Sequence, residues 1–255
     1  MLGQAIVKAA GGEVVALTRA DLDVTDPDAT REALAGATVI NCAAYTDVDG
    51  AESNPEGAHA VNEEGARVVA QAAERVIYVS TDYVFDGTKD SPYVESDPTA
   101  PLQIYGHSKL AGERATAANP NHLIVRSSWL FGPGGKNFVE TILALGKQRD
   151  ELRVVNDQRG CPTFSGHLAD ALVGLAASDQ RGVLHLAAAG SCSWFEFARE
   201  ILTRAGVNSL VKPCKSDEFP RPARRPAYSV LGSERSGPVL PAWQDGLEAY
   251  LGVPV

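Results

Sequence analysis

Along the first half of the chain, short apolar runs alternate with amphipathic stretches, the rhythm of βαβ units that feed a parallel sheet. The runs at 13–17, 38–42, 76–79 and 122–125 predict strands. Between them, 27–34, 55–73 and 105–118 predict helices. Pro27 and Pro55 stand where a helix start tolerates proline, and Asp26 and Asn54 before them are candidate N-caps. Beyond Arg126 the pattern turns loop-rich, with glycine and proline at 132–135, polar residues at 156–163 and a proline/arginine stretch at 219–226. Helices near 137–145 and 194–205 and a strand near 183–186 complete the predicted elements. There is no internal repeat and no low-complexity segment. The fold class is α/β, a Rossmann-like doubly wound parallel sheet.

Size and charge narrow the picture. The 255 residues suit one large α/β domain or a domain with a smaller lobe. A net charge of −9 argues against a nucleic-acid surface, which draws on clustered lysine and arginine. The basic concentration that does exist is Arg221, Arg224 and Arg225 among prolines; it reads equally as a bidentate diphosphate clamp or as a solvated loop. Cys42, Cys161, Cys192 and Cys214 are widely spaced, which predicts free thiols in a reducing compartment. The histidines are scattered, so no metal is expected. No apolar run is long enough to span a bilayer and no signal-peptide pattern opens the chain; the expected location is the cytoplasm, with no membrane partner. Asp47, Asp49 and Glu52 form an acidic cluster that reads as a solvated helix start rather than a cation site.

The candidate chemistry lies in two segments. Ser80-Thr-Asp-Tyr-Val-Phe-Asp-Gly87 follows the run 76–79, so Thr81 stands at a strand end, where parallel sheets present ligands. Tyr105-Gly-His-Ser-Lys109 puts a phenol and an ammonium one helical turn apart on one face. By spacing alone this pair also fits an ordinary surface helix. Joined to Thr81, it offers a hydroxyl, a phenol and an ammonium to one carbonyl oxygen. A lysine beside a tyrosine is expected to favour the phenolate and lower the tyrosine pKa toward working pH.

These strings, together with Leu22-Asp-Val-Thr-Asp26, Asn41-Cys-Ala-Ala-Tyr-Thr-Asp47, Val61-Asn62, Arg126-Ser-Ser-Trp129, Asn156-Asp-Gln-Arg-Gly-Cys-Pro-Thr163 and Arg225-Pro-Ala-Tyr-Ser229, run nearly end to end. In that order they resemble the dTDP-4-dehydrorhamnose reductases, extended short-chain dehydrogenase/reductases that reduce a nucleotide-linked 4-keto-6-deoxysugar. The resemblance implies a Rossmann-like NADP-binding domain over 1–128 plus roughly 164–187, and a sugar-nucleotide lobe over 129–163 plus 188–255. It implies that Thr81, Tyr105 and Lys109 are catalytic, with Tyr105 and Lys109 also meeting the cofactor. Asp23 and Val24 would flank the adenine, and Ala43, Ala44 and Thr46 would line the cofactor's far side. Tyr83, Trp129, Asn137 and Arg225 would face the nucleotide-sugar substrate. Trp129 also reads as a core aromatic, and Asn137 and Arg225 also read as structural hydrogen-bonding groups in loops. Arg19 ends the second run where an acidic residue would favour NAD; an arginine suits a 2′-phosphate, so NADPH is expected, with NADH open.

The resemblance also implies a first strand and a glycine-rich turn ahead of Met1-Leu2-Gly3-Gln4, with Gly3 as the last glycine of that turn. The expectation is that residues precede Met1, and that the abrupt helix-to-strand passage at 72–76 and the short stretch 236–238 mark further omissions. Another nucleotide-deoxysugar ketoreductase or epimerase stays open as a reading. So do a non-catalytic regulatory subunit, like the beta subunit of methionine adenosyltransferase, and a truncated inactive form. A monomer or homodimer is expected.

Overall fold

The computed structural model describes residues 1–12 and 14–252. At its centre Thr38–Asn41 (β1), Arg75–Thr81 (β2), His122–Ser127 (β3) and Gly182–His185 lie side by side in that order, all parallel. Around and beyond them are helices α1 (Leu2–Ala9), α2 (Pro27–Leu34), α3 (Val48–Ser53), α4 (Pro55–His59), α5 (Ala66–Ala72), α6 (Ile104–Thr116), α7 (Phe138–Gln148), α8 (Ser165–Ala176), α9 (Trp194–Arg204) and α10 (Trp243–Leu251).

β2 is buried along nearly its whole length, as befits a parallel strand covered on both faces. The pleat sends alternate residues to opposite sides. Ile77, Leu123 and Val125 pack with Leu2 and Ile6 of α1 and Leu168 and Leu172 of α8. Tyr78 and Ile124 pack with Ala66 of α5 on the other side. The crossover from β1 to β2 runs through α3, α4 and α5, and that from β2 to β3 through α6. The C-terminal ends of the three strands therefore share one edge, where side chains from different crossovers can converge.

A second core joins Val139 and Ile142 of α7, Phe197 and Ile201 of α9 and Leu247 of α10 with Leu152 and Val154. It is floored by the parallel pair Glu151–Val155 and Leu210–Cys214. Neither strand, nor α8, nor α10, is legible from the apolar pattern. Gly166, Gly174 and Gly246 interrupt the two helices, and Pro213 sits inside the second strand, where proline ordinarily argues against one.

Other expectations change on contact with the structure. Glu13 lies outside the described residues, and Val14–Leu17 does not form the expected strand. A strand needs a ladder partner, and among the described residues none lies beside this run; Val15 is 87% exposed. The helix expected over 55–73 is broken by a π turn at Ala60–Gly65 between α4 and α5. Asp26 and Asn54 do cap α2 and α4, Asp26 accepting from the Asp28 and Ala29 amides and Asn54 from Gly57. Among the described residues no helix is long and apolar enough to cross a membrane.

Candidate active site

Thr81 is the last residue of β2, and a tight turn at Asp82–Val84 follows it at once. α6 enters over that turn. Its first turn is capped by Glu52, which accepts from the Ile104 amide at 2.8 Å. Gly106 allows the close approach: a Cβ there would lie 2.3 Å from the Tyr83 carbonyl oxygen. Tyr105 is thereby brought edge-on to Tyr83, with ring centroids 6.2 Å apart, and next to the Thr81 hydroxyl.

Lys109, one turn on, is 2% exposed. Its Nζ donates to the Val79 carbonyl at 2.7 Å and lies 3.9 Å from the centre of the Tyr78 ring. Among the described residues no other acceptor takes its remaining N–H groups. Burial pulls the ammonium down to about 7, against the opposing pull of Glu113 and Cys42. The expected lowering of the tyrosine does not occur. Burial pushes Tyr105 up to about 12, with Thr81 pulling the other way and Asp82 adding to the rise. The lysine charge is directed at the Val79 carbonyl and the Tyr78 ring instead.

Asp82 is a participant that motif reading passed over. It is 2% exposed, its Oδ2 finds no hydrogen-bond partner within bonding distance among the described residues, and burial pushes its carboxyl up to about 7 despite the opposing pull of Ser229 and Thr81. Thr81 Oγ1 donates to Asp82 Oδ1 at 3.1 Å and accepts from the Tyr83 amide at 3.2 Å. Burial, with Asp82 adding to it, also drives the Tyr83 phenol far up.

On the side facing the C-terminal half, the acidic cluster has three separate tasks. Asp47 caps α3 through the Gly50 amide, Glu52 caps α6, and Asp49 gathers Arg225, Arg221 and the Ala223 amide. Asp49 is thus paired rather than solvated, and the Arg225 guanidinium holds its carboxyl down at about 2. Arg225 also reaches the Tyr83 hydroxyl. Trp129 is half-buried, with φ of 45°, an uncommon conformation for a bulky residue. Its ring stacks on Trp194 at 3.4 Å between centroids, and its buried Nε1 finds no partner. Asn137 is fully engaged within the protein. Its Oδ1 accepts from the Glu140 amide at the start of α7, and its Nδ2 donates to the Gly132 and Gly135 carbonyls and to the Tyr250 hydroxyl.

The residues expected on the cofactor side are more spread out. Gly3 lies in the first turn of α1, facing open space. Arg19 is exposed, while Asp23 uses its carboxylate on the amide and hydroxyl of Thr25. Val24 packs against the π turn at Gly65. Ala43, Ala44 and Thr46 follow β1 in a loop tethered by Asn62. Asn62 accepts from the Tyr45 amide at 2.8 Å and donates to the Tyr45 carbonyl and the Ser108 hydroxyl. The π turn thus locks this loop to α6 through a residue to which sequence reasoning gave no role.

The model of the RmlD substrate binding domain family matches residues 1–253. The chain belongs to the RmlD family. A dTDP-4-dehydrorhamnose reductase from Mycolicibacterium smegmatis is 43% identical over 254 residues, covering 94% of this chain and 78% of the relative. A crystal structure of a dTDP-4-dehydrorhamnose reductase from Clostridium acetobutylicum superposes with a TM-score of 0.94 at 38% identity, covering 98% of this chain and 95% of that one. A second, from Bacillus anthracis and in complex with NADP, gives a TM-score of 0.94 at 36% identity, covering 98% and 94%. The nicotinamide end of a dinucleotide fits this RmlD-family site on physical grounds, because the buried Lys109 ammonium, one helical turn from Tyr105 and near Cys42 after β1, keeps donors that no acceptor among the described residues claims.

Proposed function

We propose that the chain transfers a hydride from NADPH to the C4 ketone of dTDP-4-dehydro-L-rhamnose, giving dTDP-L-rhamnose for cell-envelope polysaccharide. The observation that carries this reading is the meeting of Thr81, Tyr105 and Lys109 at the strand ends, in a chain matched along its length by the reductase family. Bound NADPH supplies the hydride; the protein supplies a proton and positions.

Tyr105 gives its phenolic proton to the C4 oxygen. The raised pKa keeps the phenol protonated at working pH, so its proton is present when alkoxide charge develops. The Thr81 hydroxyl donates to the same oxygen, turning from its bond to Asp82. The free N–H groups of Lys109 suit the nicotinamide ribose hydroxyls. We assign Gly3 to the pyrophosphate, Arg19 to the 2′-phosphate, Asp23 and Val24 to the adenine, and Ala43, Ala44 and Thr46 to the cofactor's far face. Tyr83, Trp129 and Arg225 are assigned to the sugar nucleotide, and Asn137 to holding α7. The separate cores support a division into a nucleotide domain, 1–128 plus about 164–187, and a sugar-nucleotide lobe. The free thiols support a cytoplasmic location.

The test is to mix the protein with NADPH and dTDP-4-dehydro-L-rhamnose and follow the reduced-nicotinamide absorbance. Its loss, matched by dTDP-L-rhamnose with the expected C4 configuration by NMR, is the expected result. No oxidation under any buffer condition, or a different C4 epimer, overturns it.

A further inference from the structure

Ser80, Arg126 and His185 stand opposite one another in register on three adjacent parallel strands, one residue before the strand end that carries Thr81. All are buried, and so is Glu113 on α6, one helical turn beyond Lys109. The Glu113–Arg126 pair is almost sealed from solvent, with side chains 5% and 6% exposed. Arg126 donates through Nε to Oε1 at 2.9 Å and through Nη2 to Oε2 at 2.7 Å, while the Ser80 hydroxyl donates to Oε1 at 2.5 Å. Three donors on one carboxylate fix its orientation.

The far side of the pair is closed as well. Arg126 Nη1 lies 3.3 Å from His185 Nε2, so that nitrogen must accept, and Nδ1 carries the proton donated to the Gly232 carbonyl at 2.8 Å. His185 is therefore neutral, and burial lowers its pKa in keeping with that. A buried ion pair contributes little net stability, so its position beside the reacting groups calls for another account.

The groups that face the Lys109 ammonium are the Val79 carbonyl and Tyr78 ring of β2, the Cys42 thiol after β1, and Glu113 on its own helix. Burial pushes Cys42 up to about 11, so the thiol is neutral at working pH. That leaves Glu113 as the negative charge acting on the ammonium among the described residues.

We propose that Glu113, clamped by Arg126 and Ser80, is a positioning residue that keeps Lys109 charged while Tyr105 delivers its proton. The inference rests on the reductase reading for its purpose, but its direct readout does not. That readout is the titration of Lys109 by NMR in protein labelled at lysine Cε, with Lys109→Met identifying the resonance. Glu113→Gln is expected to weaken proton binding at Lys109 by about tenfold, the order of effect of losing an opposite charge one helical turn away. Since Glu113→Gln leaves Arg126 unpaired, Glu113→Gln/Arg126→Met is measured beside it; it removes both charges and is expected to weaken proton binding in the same direction. The alkaline limb of kcat should move to lower pH in both, and Glu113→Asp should restore much of the wild-type profile. An unchanged Lys109 titration in the double variant, or a kcat profile lowered without moving on the pH axis, overturns the proposal. Absence of reductase activity in the wild-type protein would sink the reductase reading and leave the titration to decide the role of Glu113.

Discussion

Asp49, in the first turn of α3, holds Arg225 of the C-terminal half through two contacts, Nη1 to Oδ1 at 2.7 Å and Nη2 to Oδ2 at 3.0 Å. Arg221 and the Ala223 amide add to the same carboxylate. The Arg225 guanidinium keeps the Asp49 pKa at about 2, below the ordinary unfolded value near 4. A depressed folded pKa means that the stabilisation is complete above about pH 4 and disappears as pH falls toward 2. Asp49→Asn should therefore be less stable than wild type at pH 6 by about 1 kcal/mol, a modest value because the pair is partly exposed. Denaturant melts across pH 2 to 6 check this, and the gap should close toward pH 2.

Tyr105→Phe removes the proton donor and leaves ring packing against Tyr83 intact. Turnover should fall by about 10²-fold to 10⁴-fold, the usual contribution of a positioned general acid. NADPH affinity, read by nicotinamide fluorescence, should change little because the Lys109 donors remain. Near-normal turnover would remove Tyr105 from the mechanism.

How much of this was legible in the sequence depends on how far apart the partners lie. The Tyr105–Lys109 spacing was legible because a single helical turn sets it, whereas the approach of Tyr105 to Thr81 depends on α6 folding back over the strand end. Asp26 and Asn54 were legible as caps because capping is likewise local. The partners of Arg225, Trp129 and Arg126 are Asp49, Trp194 and Glu113, and their pairings exist only once crossovers have folded back. The tyrosine pKa departs from expectation because burial, a property of the assembled fold, raises it while the lysine ammonium is directed at the Val79 carbonyl and the Tyr78 ring. Asp82 escaped attention because nothing in its spacing announces that both its neighbours and its solvent access will vanish.

Asn137 separates a structural from a ligand-binding role. Its side chain caps α7 and ties the Gly132–Gly135 loop, so both of its polar atoms already have partners within the protein. Asn137→Ala should cost about 1–2 kcal/mol of stability, the range for a lost N-cap. KM for the sugar nucleotide should stay within about twofold at a temperature where the variant is folded. A large KM increase with unchanged melting would return Asn137 to the substrate site.

Gly160 lies against the Trp129 indole so closely that a Cβ would fall 2.4 Å from the ring. Gly160→Ala must push the indole out of its stack on Trp194 or move the backbone, at a cost of about 1–3 kcal/mol for overpacking. If the stacked ring forms part of the sugar site, KM for the nucleotide sugar rises while NADPH affinity holds. Equal loss of both would point instead to a general disturbance of the fold.

Asp82 gives a prediction of opposite sign to that of Asp49. Its folded pKa is raised by burial to about 7, whereas in the unfolded chain it lies near 4. Between those values the folded state holds a proton that the unfolded state has released, so this residue makes wild-type stability decline as pH rises from about 4 to 7. Asp82→Asn cannot ionise and removes that slope. Relative to wild type it should gain stability across the window, by an amount on the order of a few kcal/mol, whatever constant cost its lost contact with Ser229 imposes. The same substitution takes away a negative charge that raises both Tyr105 and Tyr83, so the tyrosine ultraviolet titration should begin at lower pH. A stability difference that stays flat from pH 4 to 7 would show that Asp82 ionises normally in the folded protein.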